Sequence, residues 1–264
     1  MRGADAATDR QDDLVLIREA ARQAGEIAMR YFRKDPEVWF KPGQSPVTEA
    51  DYAVDSFLRE ALAAARPDYG WLSEETADSP ERLSKRRTFI VDPIDGTRAF
   101  IEGRDVWCVS IAVVEAGRPI AGVLDCPVKG EVFEAASGRG ATMNGSSLSV
   151  SPRRRAPVLA GPKPILSDFE WRDGFRVHEY VPSLAYRIAM LADGRIDGTF
   201  VKSRSHDWDL AAADLILEEA GGRVLDRQGR VLAYAGPDPE RGVLAAGSGP
   251  LLDAMVAAIA GIGD

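Results

Sequence analysis

The chain has 264 residues, 45% of them hydrophobic, and its 41 acidic against 33 basic side chains leave a formal charge of −8. That length suits one large domain or two closely joined subdomains with a sizeable core, and the acidic balance excludes a nucleic acid polymer as the main partner. With only His178 and His206 available, a zinc centre built on several imidazoles is excluded too, so any catalytic metal should be a hard cation held by oxygen.

The N-terminal "MRGADAATDRQDD" lacks the apolar core of a signal peptide. Leu14, Ile17, Ala21, Ala24, Ala28 and Tyr31 recur at spacings of three and four, which predicts an amphipathic helix over 12–33. A Pro/Gly-rich loop follows, then a second helix over about 49–65 with Ala53, Val54, Phe57, Leu58, Ala61 and Leu62 on its apolar stripe. From 70 to 137 the signals are mostly β. "TFIVD" is a short buried run, "WCVSIAVVEAGRPIAGVLDCP" two strands around a turn at 116–118, and "GEVFEAAS" a third strand. Cys108 and Cys126 fall in these runs without C-x-x-C spacing and are expected as reduced, buried thiols. "GRGATMNGSS" reads as turns, and Arg153-Arg154-Arg155 as a solvated loop.

After about 150 the pattern becomes mixed. "APVLAGPKPIL" suggests a strand and loop, "PSLAYRIAMLADG" a helix ending at Gly194, and "DGTFV" a short strand. "WDLAAADLILEEAGG" is a strong helix with Gly221 just past its end. "RVLDRQGRVL" reads as a hairpin, "GVLAAG" as a strand, and the tail from about 249 as a last helix. The apolar tail is too short to span a bilayer and Asp253 interrupts it, so a cytoplasmic protein without a membrane partner is expected. The mixed α/β pattern divides into an N-terminal α+β subdomain, 1–150, and a C-terminal α/β subdomain, 151–264, with the active site between them.

Four acidic features sit near element ends. "SPVTEAD" places Asp51 three residues after Thr48, as in a capping box. "WLSEET" sets Glu74 and Glu75 after a short strand, and "HDWDLAAAD" puts Asp207 or Asp209 at a helix start. "DPIDGT" is the densest: Asp92 ends a strand, Pro93 stiffens the exit, Gly96 allows a tight turn and Thr97 begins the next segment. Two carboxylates about 4 Å apart repel by roughly 4 kcal/mol at an effective dielectric of 20. A turn with caps would explain each acid alone. A convergent cluster of four or five calls instead for Mg²⁺-type cations, which take oxygen ligands and share them with phosphate. The amides of Gly96 and Thr97 would then offer an anion site beside them.

With "SPVTEAD", "SEET", "VDPIDGTRAFIEG" and "HDWDLAAADLILEEAGG" in this order over 41–222, the chain resembles the inositol monophosphatase superfamily of Mg²⁺-dependent, lithium-sensitive phosphatases. The resemblance implies a layered αβαβα sandwich, two to three Mg²⁺ ions per site and, commonly, a homodimer. It also implies roles. Glu74, Asp92 and the carbonyl of Ile94 match a first metal site, and Asp92, Asp95 and Asp209 a second, with a weaker third metal at Glu74. Asp51 and Thr97 match the pair that orients and deprotonates the attacking water, and Asp95, Gly96 and Thr97 match phosphate and substrate contacts.

The resemblance implies a small phosphorylated metabolite as substrate. Where inositol-specific members carry a glutamate seven residues before the Trp-Asp aspartate, this chain has Lys202, which only donates. Lys202 and Arg204 would suit a second anionic group. "KPGQSPVTEAD" and "DGTRAFI" look more like the 3′(2′),5′-bisphosphate nucleotidase branch, with inositol, sugar or histidinol phosphates as alternatives. His206, Trp107 and Phe100 read as packing residues. A reading from another class, a non-catalytic binder of phosphorylated ligands, is opposed by acids at all five positions.

Overall fold

The computed structural model describes residues 2–41, 45–151, 155–172 and 174–262; Arg153 and Arg154 of the basic run lie outside them. In chain order the elements are α1 (Arg2–Met29), β1 (Val38–Phe40), β2 (Pro46–Thr48), α2 (Glu49–Ala65), β3 (Gly70–Ser73), a 3₁₀ turn (Pro80–Ser84), β4 (Arg87–Asp95) and α3 (Thr97–Ile101). Next come β5 (Cys108–Glu115), β6 (Arg118–Cys126), β7 (Glu131–Ala136), β8 (Ala141–Met143), β9 (Ser146–Ser147), β10 (Val158–Ala160), α4 (Lys163–Asp168), β11 (Arg176–Val177) and α5 (Leu184–Ala192). The chain continues through β12 (Gly198–Val201), β13 (Ser205–His206), α6 (Asp207–Glu219), β14 (Arg223–Asp226), β15 (Glu240–Arg241), β16 (Leu244–Gly247) and α7 (Gly249–Ile259).

Two larger sheets organise these elements. One runs β3-β4-β5-β6-β7-β8-β9, antiparallel except for the β3–β4 pair; the other runs β11-β10-β12-β16-β14. β5 shows why the first sheet is a middle layer. Val109, Ile111 and Val113 face one core while Cys108, Ala112 and Val114 face another, so a period-2 strand is apolar on both sides. α1 and α2 cover the first face through Ile17, Ala21, Ala24, Val54, Leu58 and Leu62. α5 and α6 fill the space between the sheets, and α4 and α7 cover the far face of the second. The result is the αβαβα sandwich.

α6 belongs to the second half of the chain but packs on the first sheet. Gly122 on β6 lets it approach, because a Cβ there would lie 3.1 Å from both the Cα and the carbonyl oxygen of Ala212. This helix therefore carries a C-terminal acid to the ends of N-terminal strands.

Several local expectations change. α1 reaches back to Arg2, where the first turns lack the apolar stripe that marks the rest of the helix, and stops at Met29. The expected loop after β10 contains α4, and the turn-rich 138–147 stretch holds the β8–β9 hairpin, with Asn144 and Gly145 at φ 50° and 78°. The hairpin expected at 223–232 reduces to β14, which pairs with β16, and a single bridge from Leu225 to Val231 on its outer edge. Cys108 and Cys126 are free and fully buried, as expected. Among the described residues, no helix is long and apolar enough to cross a membrane.

Candidate active site

β4 ends in a bulge. Asp92 pairs with Ser110 and Asp95 with Cys108, so three steps on one strand match two on the other. Pro93 has no amide to give the ladder, and the Ile94 amide turns to the Asp92 Oδ1 at 3.0 Å instead. Both acids thereby point off the end of the sheet. Gly96 follows at φ 97°, and a Cβ on it would meet the Ser183 Cβ and the Val106 carbonyl at 3.1 Å. α3 starts immediately at Thr97.

α6 supplies the third acid. Asp209 lies in its first turn, where Oδ2 accepts the His206 amide at 2.6 Å. One carboxylate oxygen from each of Asp92, Asp95 and Asp209 falls within 4.8 Å of the other two. Both oxygens of Asp95 are held by the start of α5: the Leu184 amide donates to Oδ1 at 3.2 Å, the Ala185 amide to Oδ2 at 2.7 Å, and the Ser183 hydroxyl to Oδ2 as well. Burial, together with the charges of its neighbours, raises Asp92 and Asp209 well above the usual carboxylate range. Asp95 is pushed up to about 6, chiefly by burial, against its hydrogen bonds to α5. Such a set of hard oxygen donors, each disfavoured as a bare anion, fits a divalent cation.

Asp51 combines two roles. Its Oδ2 accepts the Thr48 amide at 2.8 Å and the Thr48 hydroxyl at 2.6 Å, completing the capping box of α2. Its Oδ1 faces the Thr97 hydroxyl at 3.4 Å, and that hydroxyl also lies 3.1 Å from the Ile94 carbonyl. Burial pushes Asp51 up to about 6.

Glu74 stands at the edge of this cluster, near enough for its charge to act on Asp92 and Asp209. It lines the cleft, but its carboxylate accepts the Lys41 ammonium at 3.0 Å, and the three-acid cluster forms without it. Lys41 also reaches Glu75 at 2.7 Å, where burial and the Glu74 charge push the carboxyl up to about 7. Asp207, the alternative cap, turns away from the cleft onto Arg241. His206 stacks flat on Trp208 at 4.5 Å, while Trp107 and Phe100 are buried edge to face, all three in packing roles.

The acids open into a cleft of about 700 Å³ whose lining also includes Arg98, Lys163, Arg187, Lys202 and Arg204. Lys202 lies close enough for its charge to act on Asp209. Arg187 escaped the sequence reading because it looks like one polar residue on an apolar helix. It is only 9% exposed, its Nη1 donates to the Val181 carbonyl at 3.3 Å, and its Nε has no partner among the described residues. Burial lowers its pKa and the Asp95 charge opposes that shift.

A sandwich of this kind, with acids at the bulged end of a central strand and at the start of a core helix, defines a cation-assisted phosphatase architecture. The model of the inositol monophosphatase family matches residues 9–262, and the chain belongs to that family. A histidinol-phosphatase of Chlorobaculum parvum is 36% identical over 83% of this chain and 87% of its own length. The 3′(2′),5′-bisphosphate nucleotidase CysQ of Aggregatibacter actinomycetemcomitans is 30% identical over 82% and 85%. The solved IMPase of Thermotoga maritima superposes with a TM-score of 0.82 at 26% identity, covering 94% of this chain and 96% of that one. The chain is thus a phosphomonoester hydrolase of a metal-dependent family.

Proposed function

We propose that this chain hydrolyses a phosphomonoester whose leaving group carries a second anionic group, with adenosine 3′(2′),5′-bisphosphate as its representative. The observation that carries the reading is Arg187, a buried guanidinium in the cleft wall. Lys202 and Arg204 line the same cleft and add to its attraction for anions.

In this reading Asp92, Asp95, Asp209, Glu74 and the Ile94 carbonyl would hold Mg²⁺. When bound, Mg²⁺ would neutralise the phosphate and stabilise the leaving oxygen. The amides of Gly96 and Thr97 bind phosphate oxygens. The Thr97 hydroxyl orients the attacking water, and Asp51 takes its proton at Oδ1. A carboxyl raised to about 6 is a better matched base than an ordinary aspartate. Asp51 remains fixed through Oδ2, so the reacting oxygen is held in place by the start of α2.

The identity to histidinol-phosphatases favours a second reading, histidinol phosphate. Charge argues against it, because that leaving group is itself a cation and would face Arg187, Lys202 and Arg204. Inositol 1-phosphate is opposed by Lys202, which cannot accept a ring hydroxyl. The test compares Mg²⁺-dependent kcat/KM for adenosine 3′,5′-bisphosphate, inositol 1-phosphate, histidinol phosphate and fructose 1,6-bisphosphate. A preference for histidinol phosphate or inositol 1-phosphate would overturn the doubly anionic class. Saturable binding without any phosphate release would replace the enzyme by a binding module.

A further inference from the structure

Asp207 is fully buried at the first position of α6, two residues before Asp209. A second acid at this helix start adds negative charge to a region that already crowds three carboxylates within 4.8 Å. Its partner is Arg241 on β15, whose Nε donates to Oδ1 at 2.7 Å and whose Nη2 donates to the same oxygen. The fork does not stop there, because Nη2 also reaches the Ala233 carbonyl at 2.7 Å. Asp207 Oδ2 accepts the Ala235 amide at 2.8 Å, so acid and arginine grip the same loop from two directions.

That loop is held from its other side by Arg82, in the 3₁₀ turn between β3 and β4. Its Nη1 and Nη2 donate to the carbonyls of Ala235 and Gly236, both at 2.8 Å, while Asp78 anchors its Nε at 2.6 Å. Arg82 is 3% exposed, which makes these bonds a buried connection. A continuous chain of polar contacts therefore runs from the turn ahead of β4, which bears Asp92 and Asp95, to the start of α6, which bears Asp209. Arg241 extends the connection to the cationic rim, since its carbonyl accepts the Arg204 amide at 2.8 Å.

We propose that Asp207 and Arg241 are positioning residues for the cation site: their ion pair, anchored through the 233–236 loop to Arg82, holds Asp209 against the repulsion of Asp92 and Asp95. The inference rests on the cation-site reading above. Neither residue touches the reacting atoms. They fix the distance between carboxylates supplied by different halves of the chain, and a cation bound by all three depends on that distance.

The test uses Arg241→Lys, which keeps the charge but loses the fork, and Asp207→Asn, which keeps the shape but loses the charge. Arg82→Gln loosens the far anchor without touching the helix and serves where either of the others fails to fold. Mn²⁺ binding to the metal-free proteins is measured from the free-ion paramagnetic resonance signal, alongside half-saturating Mg²⁺ and KM in phosphate release. The expected result is about a ten-fold weaker Mn²⁺ affinity and a matching rise in half-saturating Mg²⁺. KM at saturating Mg²⁺ should stay within about two-fold, and Arg241→Lys should retain more affinity than Arg241→Gln. Folded variants that bind Mn²⁺ like the wild type, even with a lowered Tm, would overturn the positioning role. A wild-type protein that binds no Mn²⁺ would overturn the cation-site reading beneath it.

Discussion

Replacing Arg187 by Gln removes, among the described residues, the one buried cation of the cleft wall and leaves a shorter, neutral donor. In the wild type, Nη1 is engaged by the Val181 carbonyl and the guanidinium lines the cleft, where its charge meets an incoming anion. A hydrogen bond between charged groups contributes about 1.5–3 kcal/mol, more than a neutral pair. At 1.4 kcal/mol per factor of ten, that loss corresponds to about a ten- to hundred-fold fall. The quantity to follow is the ratio of kcat/KM for adenosine 3′,5′-bisphosphate to that for adenosine 3′-monophosphate, measured as phosphate release at saturating Mg²⁺. The two substrates share the reacting group and differ only in the second anion. The ratio should drop by that factor in Arg187→Gln and recover in part in Arg187→Lys. An unchanged ratio, with both substrates falling together or neither falling, would refute the assignment of Arg187 to the second anionic group.

Asp95→Asn should abolish Mg²⁺-dependent hydrolysis while circular dichroism stays native, because an Asn oxygen can still accept one α5 amide; near-normal turnover would sink the metal assignment. Adding Mg²⁺ at about 100 times its Kd should stabilise the protein by about 2.7 kcal/mol, read as a Tm increase of several degrees that EDTA reverses. Asp125 gives a pH test outside the site. Burial against α1 pushes it up to about 7, so its contribution to stability is present below the unfolded carboxylate value and lost as pH rises through the folded one. Asp125→Asn should therefore match the wild type near about pH 4 and exceed it near about pH 8, by on the order of 4 kcal/mol at most, in denaturant titrations. Gly25→Ala should destabilise the same contact, since a Cβ there would lie 2.3 Å from the Asp125 Oδ2; an unchanged Tm would show that the carboxylate moves aside freely.

The parts of this fold legible in the sequence are those whose cause is local. Thr48 followed by Asp51 and a Val54, Leu58, Leu62 stripe marks α2, and the helix spans Glu49–Ala65. The β5–β6 hairpin turns at Ala116 and Gly117, with φ values of 50° and 78°. Asp92, Asp95 and Asp209 were readable as a set through their motifs, and they do converge. What was not readable depends on residues far apart in the chain. Lys41 meets Glu74 only after β2 and β3 are in place, and no spacing rule connects them. Arg187 becomes a cleft residue only because α5 is wedged between two sheets. The first turns of α1 carry no apolar period, so nothing in the pattern marks where the helix begins.

The geometry also answers how this chain tolerates so many acids in one place. Three of them sit at the start of a different helix and accept its free amides. Asp51 takes the Thr48 amide at α2, Asp95 takes the Leu184 and Ala185 amides at α5, and Asp209 takes the His206 amide at α6. Each helix start contributes partial positive charge, worth about 0.3–1 kcal/mol and up to about 2 when partly buried. Asp92 has only the Ile94 amide of its own strand end. It is also fully buried and pressed by the charges of Glu74, Asp95 and Asp209, so its bare anion is strongly disfavoured. The capping explanation and the cation explanation are therefore complementary. Capping fixes one oxygen of Asp51 and one of Asp209 and orients the Asp95 carboxylate, which leaves an oxygen of each cluster acid turned toward its neighbours. Repulsion among those remaining oxygens is what a bound cation relieves, and Asp92, the least supported of the three, stands to gain the most from it.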